Sequence, residues 1–184
     1  MYGFNSLSPS QRQHLTTRAF VRDVENYLAG TAVAVQPDGD RTESLIETAF
    51  QLSLTRYRDG WLRWGSSGMP MTGEQIAAHA EAAINILRAG GWNPSCHASR
   101  SIRDALIHAE TADEHQGCGM DTRMVVGDIL GLLIRALTGA PTAYYETWDA
   151  HPARTVEEVF TALAAAAVFA RRYGDKSHPA QATA

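Results

Sequence analysis

A chain of 184 residues with 45 % hydrophobic and 20 % charged side chains can bury one substantial core, and its composition is far from that of disordered chains. The net charge is −4: residues 1–70 carry seven basic and seven acidic side chains and residues 71–184 nine and thirteen, so neither part has the basic excess that drives binding to a phosphate backbone. The longest apolar stretch, Met124 to Leu137, is short for a membrane span and broken by Asp128 and Arg135, and MYGFNSLSPSQRQ lacks the regions of a signal peptide, so a cytoplasmic protein is expected.

The periodicity is helical from one end to the other. Ser8, Pro9 and Gln11 give the start signal of a first helix whose apolar residues are Leu15, Phe20, Val24, Tyr27 and Leu28, with Gly30 suited to end it. After QPDGD (36–40), Leu45, Ile46, Ala49, Phe50, Leu54, Tyr57, Trp61 and Trp64 trace a second stripe, with a break expected near Asp59-Gly60. Thr72 and Gln75 form a capping box for a third helix that buries Ile76, Ala80, Ala83, Ile84 and Leu87 and stops at Gly90-Gly91. A shorter helix near 99–112 buries Ile102, Ala105, Leu106 and Ala109. Residues 121–138 are apolar almost all round, which marks the central helix of the core. Thr155 and Glu158 form the capping box of a last helix that runs to Arg171-Arg172. Only TAVAVQ (31–36) reads as a strand.

The expected fold class is all-α: a single compact bundle of five to seven helices with the apolar helix near 121–138 at its centre. Residues 1–70 form an N-terminal helical region that either packs on the core or serves as a partner-binding arm. Residues 71–173 form the core domain, and 174–184 a disordered tail.

Both cysteines fall within CHASRSIRDALIHAETADEHQGC (96–118), together with His97, His108 and His115. Zinc sites use close ligand pairs because two ligands on one turn preorganise half of the site. Here only His115 and Cys118 have such spacing, and no second pair mirrors them. His108 falls on the polar side of its helix. Cys96, His108, His115 and Cys118 are therefore weak metal candidates, no cofactor is expected, and a reducing cytosol keeps both cysteines as thiols.

RYRDGWLRWG (56–65) interleaves Arg56, Arg58 and Arg63 with Tyr57, Trp61 and Trp64, the residue types of a single-strand nucleic-acid platform. The aromatic residues also continue the apolar stripe of the second helix, so core packing accounts for them, and the neutral surroundings argue against nucleic acid. Gly127 and Gly131 are expected to let a neighbouring helix approach closely. Asp128 and Arg135 share the central helix and each needs a partner when buried. A catalytic carboxylate at Asp128 is the enzymatic alternative to a structural pair. No nucleophile elbow, phosphate loop, dinucleotide fingerprint or H-E-x-x-H occurs.

Two segments, AAINILRAGGWNPS (82–95) and WDAHPARTVEEVFTALAAAAVFAR (148–171), carry a helix ending in Gly-Trp, a later Trp-Asp, a proline turn, Arg-Thr-x-x-Glu-Val and an alanine-rich helix. This pattern resembles an uncharacterised family of short helical proteins from actinobacteria and their phages, a domain of unknown function, over about residues 74–173. The resemblance implies no activity, substrate or cofactor. Ala153 stands where that family has a glycine before Arg-Thr, and the 99–112 helix lacks the cysteine that opens its counterpart. A single lysine, Lys176, among sixteen basic residues fits a GC-rich bacterial or phage source.

The expected function is that of a small non-enzymatic accessory or regulatory protein that binds another protein or a second copy of itself. Arg154, which capping does not require, and Arg56, Arg58, Trp61 and Arg63 are the partner-binding candidates. A hydrolase or transferase site near Asp128 and the histidines of 97–115, and nucleic-acid binding through 56–65, are the alternatives.

Overall fold

The computed structural model describes residues 39–95, 98–111 and 119–176. The chain divides after Asp38, and all described residues belong to the part that begins at Gly39. The helix expected over 8–30, the candidate strand 31–36, Cys96, His97, His115, Cys118 and residues 177–184 lie outside them.

Six helices make up the described fold: α1 (Gly39–Arg56), α2 (Gly73–Gly90), α3 (Ile102–Thr111), α4 (Met120–Thr138), α5 (Tyr145–Asp149) and α6 (Val156–Tyr173). No strand occurs among the described residues, and two isolated bridges, Trp64 with Pro70 and Asn93 with Arg100, pin the loops on either side of α2. The fold is an all-α bundle. No described helix is long and apolar enough to cross a membrane.

The starts of the helices follow local side-chain chemistry. Thr72 Oγ1 accepts from the Gln75 amide while Gln75 Oε1 accepts from the Thr72 amide, which satisfies two of the orphan donors of α2. Thr155 and Glu158 do the same for α6. Ser101 and Asp104 form a third reciprocal pair at the start of α3. Gly139, at φ +67°, closes α4 in the left-handed conformation that favours glycine.

α4 is the one described helix that packs against each of the other five. Val126, Ile129, Leu130, Leu132, Leu133 and Ile134 are all buried on it, as expected of a central helix. The most extensive pairing is α2 on α6, where alanines at 77, 80, 83, 166, 167 and 170 keep the contact surface flat. At one end of this pair the two backbones touch: a Cβ on Gly73 would lie 2.2 Å from the Ala170 carbonyl oxygen, and one on Gly174 would lie 2.5 Å from the Gly73 Cα. The Gly73 amide donates to the Asp175 carbonyl across that crossing at 2.8 Å. Only glycine permits this approach.

Gly127 provides space for the Tyr145 ring of α5, whose nearest carbon is 3.2 Å from where a Cβ would stand. Gly131 instead lies under the guanidinium of Arg135 from the next turn of the same helix. Close approach of a neighbouring helix therefore accounts for the first glycine and not for the second.

Leu133 is 2 % exposed in this core. Leu133→Ala should cost about 2–5 kcal/mol in equilibrium urea unfolding; a loss below about 1 kcal/mol would show that the α4 face is not packed as described.

Candidate functional site

The second apolar stripe does not continue as one helix. α1 ends at Arg56, and Gly60 at φ +78° takes the chain into a turn that returns through Trp61 to Trp64. The turn brings Tyr57 and Trp61 together with rings stacked at 4.4 Å. At the end of α6, Tyr173 stacks on Phe50 of α1 at 3.9 Å, and the fully buried Phe169 contacts Phe50, Trp61 and Tyr173 from beneath. These elements enclose a cleft of about 290 Å³ lined by Phe50, Leu54, Tyr57, Trp61 and Tyr173 and by the charged Arg58, Asp59, Arg63 and Asp175. Trp64 does not belong to the core as its place in the stripe suggested. It is 50 % exposed, because the turn at Gly60 carries it past the packed face.

Charges around the cleft balance. Arg63 pairs with Asp175 at 3.1 Å, whereas the side chains of Arg58 and Asp59 have neither a hydrogen bond nor an ion pair among the described residues. Arg56 donates to the Pro141 carbonyl at 3.5 Å.

Tyr57 links this cleft to α4. Its hydroxyl donates to Asp128 Oδ1 at 2.9 Å. Burial raises the Asp128 carboxyl above its usual range, against the pull of the Tyr57 hydrogen bond and of Arg135 and Arg56. Burial, helped by the Asp128 charge, pushes Tyr57 up to about 12. Arg135 is not the hydrogen-bonded partner of Asp128. Its Nε donates to the Ala143 carbonyl at 3.1 Å, its guanidinium lies 5.9 Å from the Tyr144 ring centre, and its buried Nη1 has no hydrogen-bond partner among the described residues. Two separate sequence candidates, Asp128 and the 56–65 segment, thus meet at one tyrosine.

A second polar constellation lies elsewhere in the bundle. Asp149, at the end of α5, is 2 % exposed and accepts from the Trp92 indole at 2.8 Å and from the Ile102 amide at 2.9 Å. Burial raises its carboxyl as well, with those two donors opposing the shift. Beside it, the Arg154 guanidinium lies 3.8 Å from the centre of the Trp148 ring, donates through Nε to the Trp148 carbonyl and pairs through Nη1 with Glu158 at 2.8 Å. Its side chain is only 9 % exposed. Glu158 serves both the Thr155 cap and Arg154, one carboxylate oxygen each.

His79 is fully buried. His79 Nε2 faces the Leu106 carbonyl at 2.9 Å, which can only accept, so that nitrogen carries a proton; Nδ1 faces the Thr122 hydroxyl at 2.8 Å. The ring ties α2, α3 and α4 together. No metal cluster of three or more His, Cys, Asp or Glu occurs among the described residues. Of the four metal candidates only His108 is described, and it is exposed on α3.

Residues 71–169, more than half of the chain, match a family of unknown function (DUF6197). The chain belongs to that family. No curated protein and no solved structure matched it. The matched segment contains Trp92, Trp148, Asp149, Arg154 and Glu158, so the motif residues that drew attention in sequence converge on one largely buried network. The cleft residues 50–63 and 173–175 all lie outside the matched segment.

The contacts of Arg154 give it a part in holding the fold. Arg154→Ala should lower stability by about 2–4 kcal/mol by leaving Glu158 unpaired and the Trp148 face uncovered, and Arg154→Lys should recover part of this because it restores charge without the planar fork. An alanine variant with unchanged thermal and urea midpoints would return Arg154 to the list of recognition residues.

Proposed function

We propose that this protein is a small non-enzymatic accessory protein that binds a partner protein through the cleft between α1, the 57–63 turn and the end of α6. The observation that carries this reading is the lining itself, with four aromatic side chains around a concave surface and, in the same lining, Arg58 and Asp59, which have no ion pair among the described residues. Tyrosine, tryptophan and arginine supply most of the energy of protein interfaces, because rigid rings bury large area at low entropic cost. Leu54, at the same cleft, is 57 % exposed and extends the apolar surface beyond the pocket. The near absence of lysine supports a bacterial or phage source for such an accessory.

Charge favours this reading over nucleic acid. Two arginines and two aspartates line the cleft, so it has no excess of positive charge to hold phosphates. The enzymatic alternative rests on Asp128, whose carboxyl is raised by burial. Its polar neighbours are Tyr57, Arg135 and Arg56, and none of these forms a nucleophile-and-base pair with it.

Capture from a lysate of the native host, quantified by mass spectrometry, compares the full chain with its Leu54→Glu variant. Leu54 is exposed, so the variant should fold normally. The variant should recover the specific partner at least about tenfold less, the effect of losing roughly 1.4 kcal/mol at an interface. Equal recovery by both proteins would contradict a role for the cleft.

A further inference from the structure

We propose that residues 57–69 form a strap that is latched to α4 by Asp121 and Asp128 and opens from the bundle as one unit. The strap supplies Tyr57, Arg58, Asp59, Trp61 and Arg63 to the cleft, so its opening takes the cleft apart. Its own contacts carry the inference, which does not require the cleft to be the recognition site. The two aspartates lie about two turns, or about 10 Å, apart along one face of α4. They take hold of the strap near its two ends. Tyr57 donates its hydroxyl to Asp128 Oδ1 at 2.9 Å. Asp121 accepts from the Ser66 hydroxyl at 2.8 Å, from the Ser67 amide at 3.1 Å and from the Ser67 hydroxyl.

The strap is shaped around the Asp121 carboxylate. A Cβ on Gly65 would stand 2.2 Å from the Asp121 Cγ, and glycine alone brings the backbone this close. The Ser67 hydroxyl, with help from Ser66, holds the Asp121 carboxyl below its ordinary value against the effect of burial, so the latch is made with the charged form. Between the latches the strap bonds to itself: Trp61 N–H to the Arg58 carbonyl at 3.2 Å, Arg63 N–H to Gly60 at 2.8 Å and Gly65 N–H to Met69 at 3.1 Å. Hydrogen bonds of single turns do not outlast the contacts that seat them.

Apolar seating of the strap is slight. Leu62 is buried and Trp61 lies against Phe169, whereas Arg58, Asp59, Gly60, Arg63, Trp64 and residues 66–69 are exposed. The remaining ties are the exposed Arg63–Asp175 pair and the Met71 amide, which donates to the Arg63 carbonyl at 2.9 Å just before α2. A segment with few buried apolar contacts and exposed hydrogen bonds opens at lower cost than the helices beneath it. The two carboxylate latches therefore set how often the strap opens.

Native-state hydrogen exchange on the full chain, read by NMR, tests this. The amides of Arg63, Gly65, Ser67 and Met71 should share one opening, with protection factors at least about tenfold below those of Ile129 and Leu163 in the core. Urea below the unfolding transition should lower the core protection steeply and that of the four strap amides little, because a local opening exposes little surface. Asp121→Ala and Tyr57→Phe, at opposite ends of the strap, should each lower the protection of all four amides about tenfold, as expected for a hydrogen bond to a charged group. Asp121→Asn should keep most of it, because an amide oxygen can still accept from Ser66 and Ser67. Strap amides as protected as the core, equal urea dependence for both, or a Tyr57→Phe effect that does not reach Gly65 and Ser67 would each overturn the proposal. Leu54 belongs to α1 and not to the strap, so capture with Leu54→Glu tests the cleft reading separately.

Discussion

Asp149 sits in an environment that would penalise a bare carboxylate by several kcal/mol. The fold meets this with one N–H donor on each oxygen, the Trp92 indole and the Ile102 amide. The two donors belong to different segments, one just past the end of α2 and the other at the first residue of α3, while the acceptor ends α5. One side chain therefore fixes how three segments meet. The stretch just after α2 and the start of α3 are thereby tied to the same carboxylate. Ile102, whose amide donates, is itself fully buried, so the hydrogen bond and the start of the α3 core face are set together.

From this anchor the rest of the family segment follows. Trp148 precedes Asp149 and is held over the Arg154 guanidinium, which in turn engages Glu158 inside the capping box of α6. Entry into α6 is thus coupled to the position of α5, and α6 then packs along α2 and against α4. His79 performs a similar task at the junction of α2, α3 and α4, with both ring nitrogens facing partners in a site without solvent exposure. The network stabilises a scaffold, and α1 with the 57–63 turn adds to that scaffold a cleft made of residues outside the family match.

Much of the scaffold was legible because its signals are local. The Thr72–Gln75 and Thr155–Glu158 boxes lie within one helical turn each, and the apolar run of α4 announces a central helix from composition alone. What escaped was non-local. Asp149 and Trp92 are 57 residues apart and Tyr57 and Asp128 are 71 apart, and nothing in either neighbourhood marks the partner. For that reason the sequence pairs Asp128 with Arg135 on its own helix, marks Asp149 only as part of the Trp-Asp motif, and does not single out His79. α5 is too short, at five residues, for any periodicity to develop. The misplacement of Trp64 has a different cause. Apolar spacing carries the stripe to Trp64, but the helix ends at Arg56 and the turn at Gly60 returns Trp61 to the packed side while leaving Trp64 outside it. Arg154, which capping does not need, is engaged inside the fold by stacking on Trp148 and pairing with Glu158, contacts that no local pattern announces.

The Asp149 network organises the scaffold through specific hydrogen bonds and not through generic packing. A double-mutant cycle between Trp92→Phe and Asp149→Asn, measured by equilibrium urea unfolding, tests it most directly, because phenylalanine keeps most of the ring and removes the indole N–H. The account predicts a coupling energy of at least about 1 kcal/mol between the two positions. Additive losses, agreeing within about 0.5 kcal/mol, would show that the two side chains contribute independently and would contradict it.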